Sequence, residues 1–447
     1  MKKNKVIVIC FFGILCNTSP IFGQKLVTNY YQDNPQQVKE TYTEIINTEG
    51  IALINGKYTQ YHPNGQIAIE GTFKQGKKEG LFIGYYANGV KQMEIQYQND
   101  LKNGSFITYQ EDGSLHQKGN CLNDSLNGFL ELYSTNGNIE KRTQFVKNTI
   151  EGKVETFYSS GKIQMEANYV SGKPNGIVKK YYENSNLESE EEQKDGIPNG
   201  IFKEYHPNGK IKTETTNQLG TRHGNFTQYT EEGKILVKAY YEKGFLDKDY
   251  ISYHLNGQIA FKATYINGYR QGKTLNYYED GTLKQETYYD KQERDIKEKR
   301  YYPNGNLMSE YEKKDGVFIN TEKYYYANGN LQKEIPYQEG KINGTVKYYE
   351  ENNNSLLKEE IYLNNALNGI TKIYKNGNVE EEITYQSDRR AGIYKKYYSN
   401  GKLEIKGNYR FDKMYGSWQY YTEDSKLIKT EKYDAKGTLL ETIPAQK

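Results

Sequence analysis

Three histidines stand in one kind of place. His62, His206 and His254 each follow a tyrosine and precede an Asn-Gly pair, in "YHPNG", "YHPNG" and "YHLNG". Imidazoles can hold a metal, but their nitrogens must then lie about 2 Å from one ion. His206 and His254 are 48 residues apart, which the repeat described next converts to about 19 Å. They are read as polar residues at strand ends, and His116 and His223 as isolated residues of loop or strand. A second set is acidic: Glu70, Glu94, Glu166, Glu190, Glu214, Glu286, Glu310 and Glu334. An acid/base pair needs one raised and one ordinary pKa in a shared cleft. Carboxylates recurring about 10 Å apart read instead as a solvated row. A third set is phenolic: Tyr86, Tyr158, Tyr182, Tyr278, Tyr302, Tyr326, Tyr374 and Tyr398 occupy the place held elsewhere by the histidines. Tyrosines in a row could stack on a sugar or anchor a protein partner; they could equally cover a sheet face and favour strand structure. Tyr278, Tyr302, Tyr326 and Tyr398 are the candidate ligand-binding residues. No catalytic residue, metal site or cofactor is expected, and the Gly residues are turn residues rather than a phosphate loop.

The elements that must position these residues follow from a period. Stepping by 24 from Gly65 meets Gly89, Gly113, Gly137 and Gly161, and continues to Gly401, with Ser185, Asn353 and Ser425 as exceptions. Ser and Asn are also turn formers. Sixteen repeats run from Lys57 to about Leu440, and Thr41 to Asn55 reads as a degenerate cap. The chain gains a residue near Asn352–Asn354 and loses one near Tyr374–Lys375. Numbering each repeat from 1 at Lys57, position 5 is Tyr or Phe almost throughout, position 11 is mostly Ile or Leu, and position 17 is usually aromatic. The histidines and tyrosines above sit at position 6, and the glutamates at position 14.

Alternation of Ile163, Met165, Ala167 and Tyr169 with Lys162, Gln164, Glu166 and Asn168 predicts a half-buried strand. The short aromatic stretch before each turn is its partner. A three-residue loop at positions 7–9 sets the position-5 ring against position 11. Pro63, Pro207 and Pro303 then suit the first turn residue, and Gly the left-handed third. Each repeat is expected to be a hairpin closed by a type I turn with a G1 bulge. Rows 5, 11 and 17 are expected on one face as a thin core. The expected fold is all-β: an elongated antiparallel ribbon or solenoid of about sixteen hairpins, of order 150 Å before twist. A lone hairpin is marginal in water, so neighbours must stabilise one another.

Composition agrees with such an array. The 447 residues include 46 Tyr, only 35% are hydrophobic, and mean hydropathy is −0.95. The 60 Lys+Arg against 57 Asp+Glu lack the basic excess of a nucleic-acid binder. The head "MKKNKVIVICFFGILCNTSPIFGQK" places Lys2, Lys3 and Lys5 before an apolar run, the grammar of a secretory signal. Cleavage is expected after Gly23. Cys16 is not expected to be lipidated, because bulky Leu15 precedes it. The domain reading is a signal peptide at 1–23, a cap at 24–56, the array at 57–440 and a tail at 441–447. The mature chain then holds one thiol, Cys121, read as a buried filler, and no transmembrane segment.

The pattern Y-x-x-x-G-x-[IL]-x-x-E-x-x-Y, followed by Gly about seven residues later, resembles the MORN-repeat variant family. Residues 301–316, "YYPNGNLMSEYEKKDG", and Tyr397 to Gly416 show it. The resemblance implies an elongated curved sheet of hairpins and brings no catalytic residues. Trp418 is the only tryptophan, so the regularly recurring Gly-x-Trp of the better-known eukaryotic repeats is lacking. Some bacterial members are labelled antitoxins, which implies a toxin-neutralising role as an alternative. The leading expectation is an exported non-enzymatic scaffold, periplasmic, outer-membrane-associated or secreted. It would bind a protein or a cell-envelope glycan, and no nucleic acid.

Overall fold

A computed structural model describes residues 23–446. The basic head, Cys10, Cys16 and nearly all of the expected signal segment lie outside the described residues. Forty antiparallel strands and no helix are found among the described residues, so no helix there could cross a membrane. The chain divides into two units, the first running to Asn199 and the second from Gly200.

Both units are built from the same hairpin. In the first complete repeat, strands Ala52–Tyr61 and Ile67–Lys74 pair with Tyr61 opposite Ile67. The His62 N–H donates to the Gln66 carbonyl at 2.7 Å, and the Gly65 N–H to the His62 carbonyl at 2.9 Å. Gly65 has φ of +84°, where a side chain would be strained. This is the expected type I turn with its bulge. One step further in, Gln60 faces Ile69 rather than Ala68. The residue at position 12 is therefore a second bulge.

That bulge changes which rows share a face. Paired residues lie on the same side of a sheet, so positions 5 and 11 share one face with positions 3 and 14. Positions 2, 13, 15 and 17 lie on the other. The expectation of rows 5, 11 and 17 on one face is thus corrected. The alternation Ile163–Tyr169 is unbroken in residue type, but the chain turns over within it. The densest packing follows positions 2, 15 and 17. In the first unit, Tyr58, Phe73, Phe82 and Tyr97 contact edge to face with ring centres 5.2–5.4 Å apart. In the second, Trp418 is buried between Tyr394 and Tyr409, with centres 5.3 and 5.1 Å away. Position 15 is small where position 2 is large: a Cβ on Gly71 would fall 2.5 Å from the Phe82 ring.

Successive hairpins join through a two-residue turn at positions 19–20. Lys74 pairs with Lys77 around Gln75 and Gly76, both at positive φ, the type I′ geometry that matches strand twist. Along this edge the turns bond to one another. The Asp100 N–H donates to the Lys78 carbonyl at 3.0 Å, while the Asp100 carboxylate accepts the Lys78 N–H at 2.7 Å. Asp124 with Lys102, and Asp412 with Arg390, repeat the exchange. On the opposite edge Asn at position 8 has two tasks. The Asn64 side-chain oxygen accepts the Gln66 N–H at 3.0 Å, and its amide donates to the Ala87 carbonyl of the next turn at 2.6 Å. Asn208 and Asn328 do likewise.

Repeats 3 to 5 add an ion-pair ladder. Here position 14 is Lys118 and Arg142, and position 3 is Glu131 and Glu155. Lys118 lies 2.9 Å from Glu131, Arg142 bridges Glu131 and Glu155 at 2.8 and 3.3 Å, and Lys153 joins Glu155 to Glu166 at 2.7 and 3.3 Å. Burial pushes the Glu131 carboxyl up. The Tyr133 hydroxyl, Lys118 and Arg142 outweigh burial and hold it down at about 2.

The ends and the irregular repeats differ from expectation. Lys25–Tyr30 and Val38–Ile46 form a further hairpin, with Tyr30 opposite Val38, so the segment at 24–56 begins with a hairpin of its own. Leu439–Pro444 is a strand paired with Leu427–Tyr433; part of the expected tail is therefore sheet. The extra residue near Asn353 makes a four-residue loop closed by Glu350 and Ser355. The lost residue leaves a two-residue turn, Asn376-Gly377, between paired Lys375 and Asn378. With both shifts counted, Tyr374 holds position 5 and Lys375 position 6, correcting the assignment of Tyr374 to position 6.

Two outcomes follow. Asn64→Asp keeps the acceptor for Gln66 but loses the donor to Ala87, and should cost about 1 kcal/mol. Faster amide exchange is expected at residues 62–66 and 86–90, with distant repeats unchanged. Glu131→Gln should destabilise the first unit at neutral pH. Because the folded carboxyl is depressed, its contribution is full above the ordinary value of about 4.3 and fades as pH falls toward about 2. The gap between wild type and variant, read from urea midpoints, should close over that window.

Candidate functional site

The four candidate tyrosines each follow directly on the first strand of a hairpin. Every one of their hydroxyls donates to a backbone carbonyl at position 5 of the next repeat. Tyr278 reaches Tyr301, Tyr302 reaches Tyr325, and Tyr326 reaches Tyr349, each at 2.9 Å, while Tyr398 reaches Tyr421 at 2.7 Å. Tyr86 and Tyr158 make the same bond, and Tyr31 makes it from the first hairpin to Tyr61. The histidines substitute for the phenols. Nε2 of His62, His206 and His254 lies 2.8, 3.1 and 3.1 Å from the carbonyls of Tyr85, Tyr229 and Tyr277. A carbonyl only accepts, so Nε2 carries the proton in these bonds.

The rings are half-buried, so the expected exposed track is narrower than the sequence implied. The structure brings Tyr278, Tyr302 and Tyr326 into one row on consecutive repeats. The Lys284 ammonium lies 5.5 Å from the Tyr278 ring centre. Tyr398 is separated from the row by Glu350 and Lys375, which hold position 6 in the intervening repeats. Tyr326 borders a shallow cleft with Tyr324, Tyr348, Ile335 and Leu357. Tyr398 borders a second one beside the shortened turn.

The glutamates at position 14 are not a free solvated row. Glu70, Glu166 and Glu214 each accept a 2.6 Å hydrogen bond from the position-5 tyrosine of the next repeat: Tyr85, Tyr181 and Tyr229. Glu94, Glu310 and Glu334 accept from Tyr109, Tyr325 and Tyr349 at 3.0, 2.9 and 2.8 Å. The Tyr85 phenol is pushed up to about 12, first by its bond to Glu70 and then by burial. The bond from Lys91 holds the Glu94 carboxyl below its ordinary range. A proton donor at neutral pH needs the reverse shift. Cys121 is buried at position 17, where desolvation pushes its thiol up, away from the reactive thiolate.

One surface was missed by sequence reasoning. Leu122, Val146 and Val170 occupy position 18 in three consecutive repeats, and each keeps 44–47% of its surface exposed. Alternation from buried position 17 places them on the face of rows 5 and 14. Phe129, at position 1 on the same face, is 42% exposed. Reading column 18 through the period would have found them.

A comparison of the sequence with curated proteins finds no match. Solved structures titled "Crystal Structure of TcdB2-TccC3" and "Crystal Structure of TcdB2-TccC3-TEV" align over 94% and 95% of this chain, at 11% and 10% identity. Their TM-scores are 0.15 and 0.14, and this chain spans 30% and 23% of theirs. The family model described as MORN repeat variant matches residues 54–75, 78–99, 150–171, 174–195, 198–216, 222–243, 246–267, 270–291, 294–312, 320–339 and 390–410. Those segments make up more than half of the sequence, and each coincides with hairpin strands of the array: the chain belongs to the MORN repeat variant family.

Proposed function

We propose that this protein is a non-enzymatic scaffold that binds an extended protein or glycan partner outside the cytoplasm. The observation that carries the reading is the aliphatic row Leu122, Val146 and Val170. The polar side chains at positions 5, 6, 8 and 14 are largely engaged between repeats. The row takes no such part, and neighbouring members stand about 10 Å apart at two strands per repeat. Exposed apolar residues that recur in one column, rather than scattered singly, are the kind of surface that marks interaction sites. A row that recurs in one dimension suits a partner that is itself extended, because successive contacts then act from one tether. The half-buried rings of Tyr278, Tyr302, Tyr326 and Tyr398 are further contacts in this reading, with their edges rather than their hydroxyls available.

Export rests on the basic head and apolar run that precede Gly23. Terminal sequencing of the protein recovered from an expressing bacterium's envelope and medium should read from Gln24; a chain recovered only in the cytoplasm with Met1 intact rejects export.

The scaffold itself is tested with Leu122→Ser, Val146→Ser and Val170→Ser combined. Exposed substitutions cost little stability, about 0.5 kcal/mol or less each, so the melting profile should stay near wild type. Capture of partners from envelope extract by residues 24–447 should fall several-fold. Equal capture by wild type and variant rejects the row as the binding surface.

A further inference from the structure

Along the turn edge of the second unit, loop length is constant except at two neighbouring repeats. The loop after Glu350 holds four residues, the next holds only Asn376 and Gly377, and the one after Tyr398 returns to three. The edge therefore steps back at Asn376-Gly377. Position 6 of this short repeat is Lys375, where Tyr326 and Tyr398 elsewhere place a ring and a hydroxyl over the next hairpin. Among the described residues, no side-chain donor is found at the Tyr397 carbonyl, which is the acceptor equivalent to Tyr349 and Tyr421. The missing ring and the shorter loop leave a cleft of about 240 Å³ between the two hairpin tips.

We propose that this cleft is a binding site for a single neutral sugar ring, such as one residue of a glycan. It deepens the scaffold reading by giving one point of contact a defined chemistry. Six residues matter: Lys375, Glu380, Lys396, Tyr397, Tyr398 and Glu404. Their charges cancel in pairs, Lys375 with Glu380 at 3.6 Å and Lys396 with Glu404 at 3.0 Å. The site therefore has no net charge with which to select an anion or a cation. What it offers is a dense set of donors and acceptors on its rim. Each ammonium has three protons and each carboxylate about four acceptor positions, so one ion-pair contact leaves capacity for hydroxyl groups. Tyr397 and Tyr398 are the aromatic residues of its lining, and they bring apolar surface for the C–H face of a sugar. The volume is below the roughly 300 Å³ at which drug-sized ligand pockets begin, which limits the occupant to about one ring. An uncharged polyol with one apolar face meets all of these conditions.

The test uses the full mature chain and three neutral probes, maltose, cellobiose and N,N′-diacetylchitobiose, in saturation-transfer NMR. Glucuronate and dialanine serve as charged and zwitterionic comparisons. Transfer to at least one neutral sugar, stronger than to either comparison, is expected. Lys375→Tyr should restore the ring and the hydroxyl donor toward Tyr397 and fill the cleft. It should abolish transfer while leaving the melting temperature equal or higher, so unfolding cannot explain the loss. Glu380→Ala should weaken the sugar about tenfold, the effect of losing one charged hydrogen bond. The proposal is overturned if no neutral sugar shows transfer, if glucuronate or dialanine is preferred, or if Lys375→Tyr binds as wild type does. Any of these results leaves the scaffold reading standing, since that reading is judged on Leu122, Val146 and Val170 in the other unit.

Discussion

A hairpin in a single layer of strands cannot satisfy its own backbone. The carbonyl at position 5 points away from its hairpin partner, and the turns at both edges carry N–H and C=O groups that no ladder reaches. Unpaired groups of this kind cost more than a made bond contributes. Here the adjoining repeat meets that need at fixed offsets. Position 6 donates to the carbonyl 23 residues on, Asn at position 8 reaches the next turn, and position 20 exchanges two bonds with the turn before it. The thin apolar row at positions 2, 15 and 17 packs between the same neighbours. Stability is therefore a property of adjacency rather than of any one repeat.

The same constraint absorbs most of the residues that looked chemically capable. A histidine at position 6 is a nitrogen donor in place of a phenol. A glutamate at position 14 is the acceptor for a tyrosine 15 residues later. Where repeat 3 places Lys118 at position 14, Tyr133 has no acceptor there, and where repeat 4 places Arg142, the position-5 residue of the next repeat is Phe157, with its ring centre 5.8 Å from the guanidinium. Tyr133 turns to Glu131 instead, and ion pairs carry the contact between hairpins. What the contacts between repeats leave over is an exposed aliphatic column in the first unit and a gap at one turn in the second.

The turn, the pairing of Tyr61 with Ile67 and the hairpin repeat were all legible in the sequence. Asn-Gly with a preceding Pro states its own backbone geometry, and a recurring apolar pair states its register. The bulge at position 12 was not legible, because Ile163, Met165, Ala167 and Tyr169 keep an unbroken alternation through it. Position 6 was misread for a different reason. Its partner is a carbonyl, and a carbonyl leaves no trace in residue type. The clue was the interchange of His and Tyr at one position, two side chains that share little except a polar N–H or O–H on a flat ring. The pairing of Tyr85 with Glu70 was open to view as a constant offset, yet alternation alone assigned the glutamates to water. The shortened loop at Asn376 was visible as a lost residue; that it opens a cleft depends on the loops on either side.

The two successive repeats that carry Glu350 and Lys375 at position 6 lack the ring bond on which their neighbours rely. A series of links under load parts at its weakest member, whatever the strength of the others. Pulling on the ends of the second unit, or digesting it gently with a protease, concentrates the first failure between 350 and 398. The seam that opens a cleft between hairpin tips is also where the second unit gives way first.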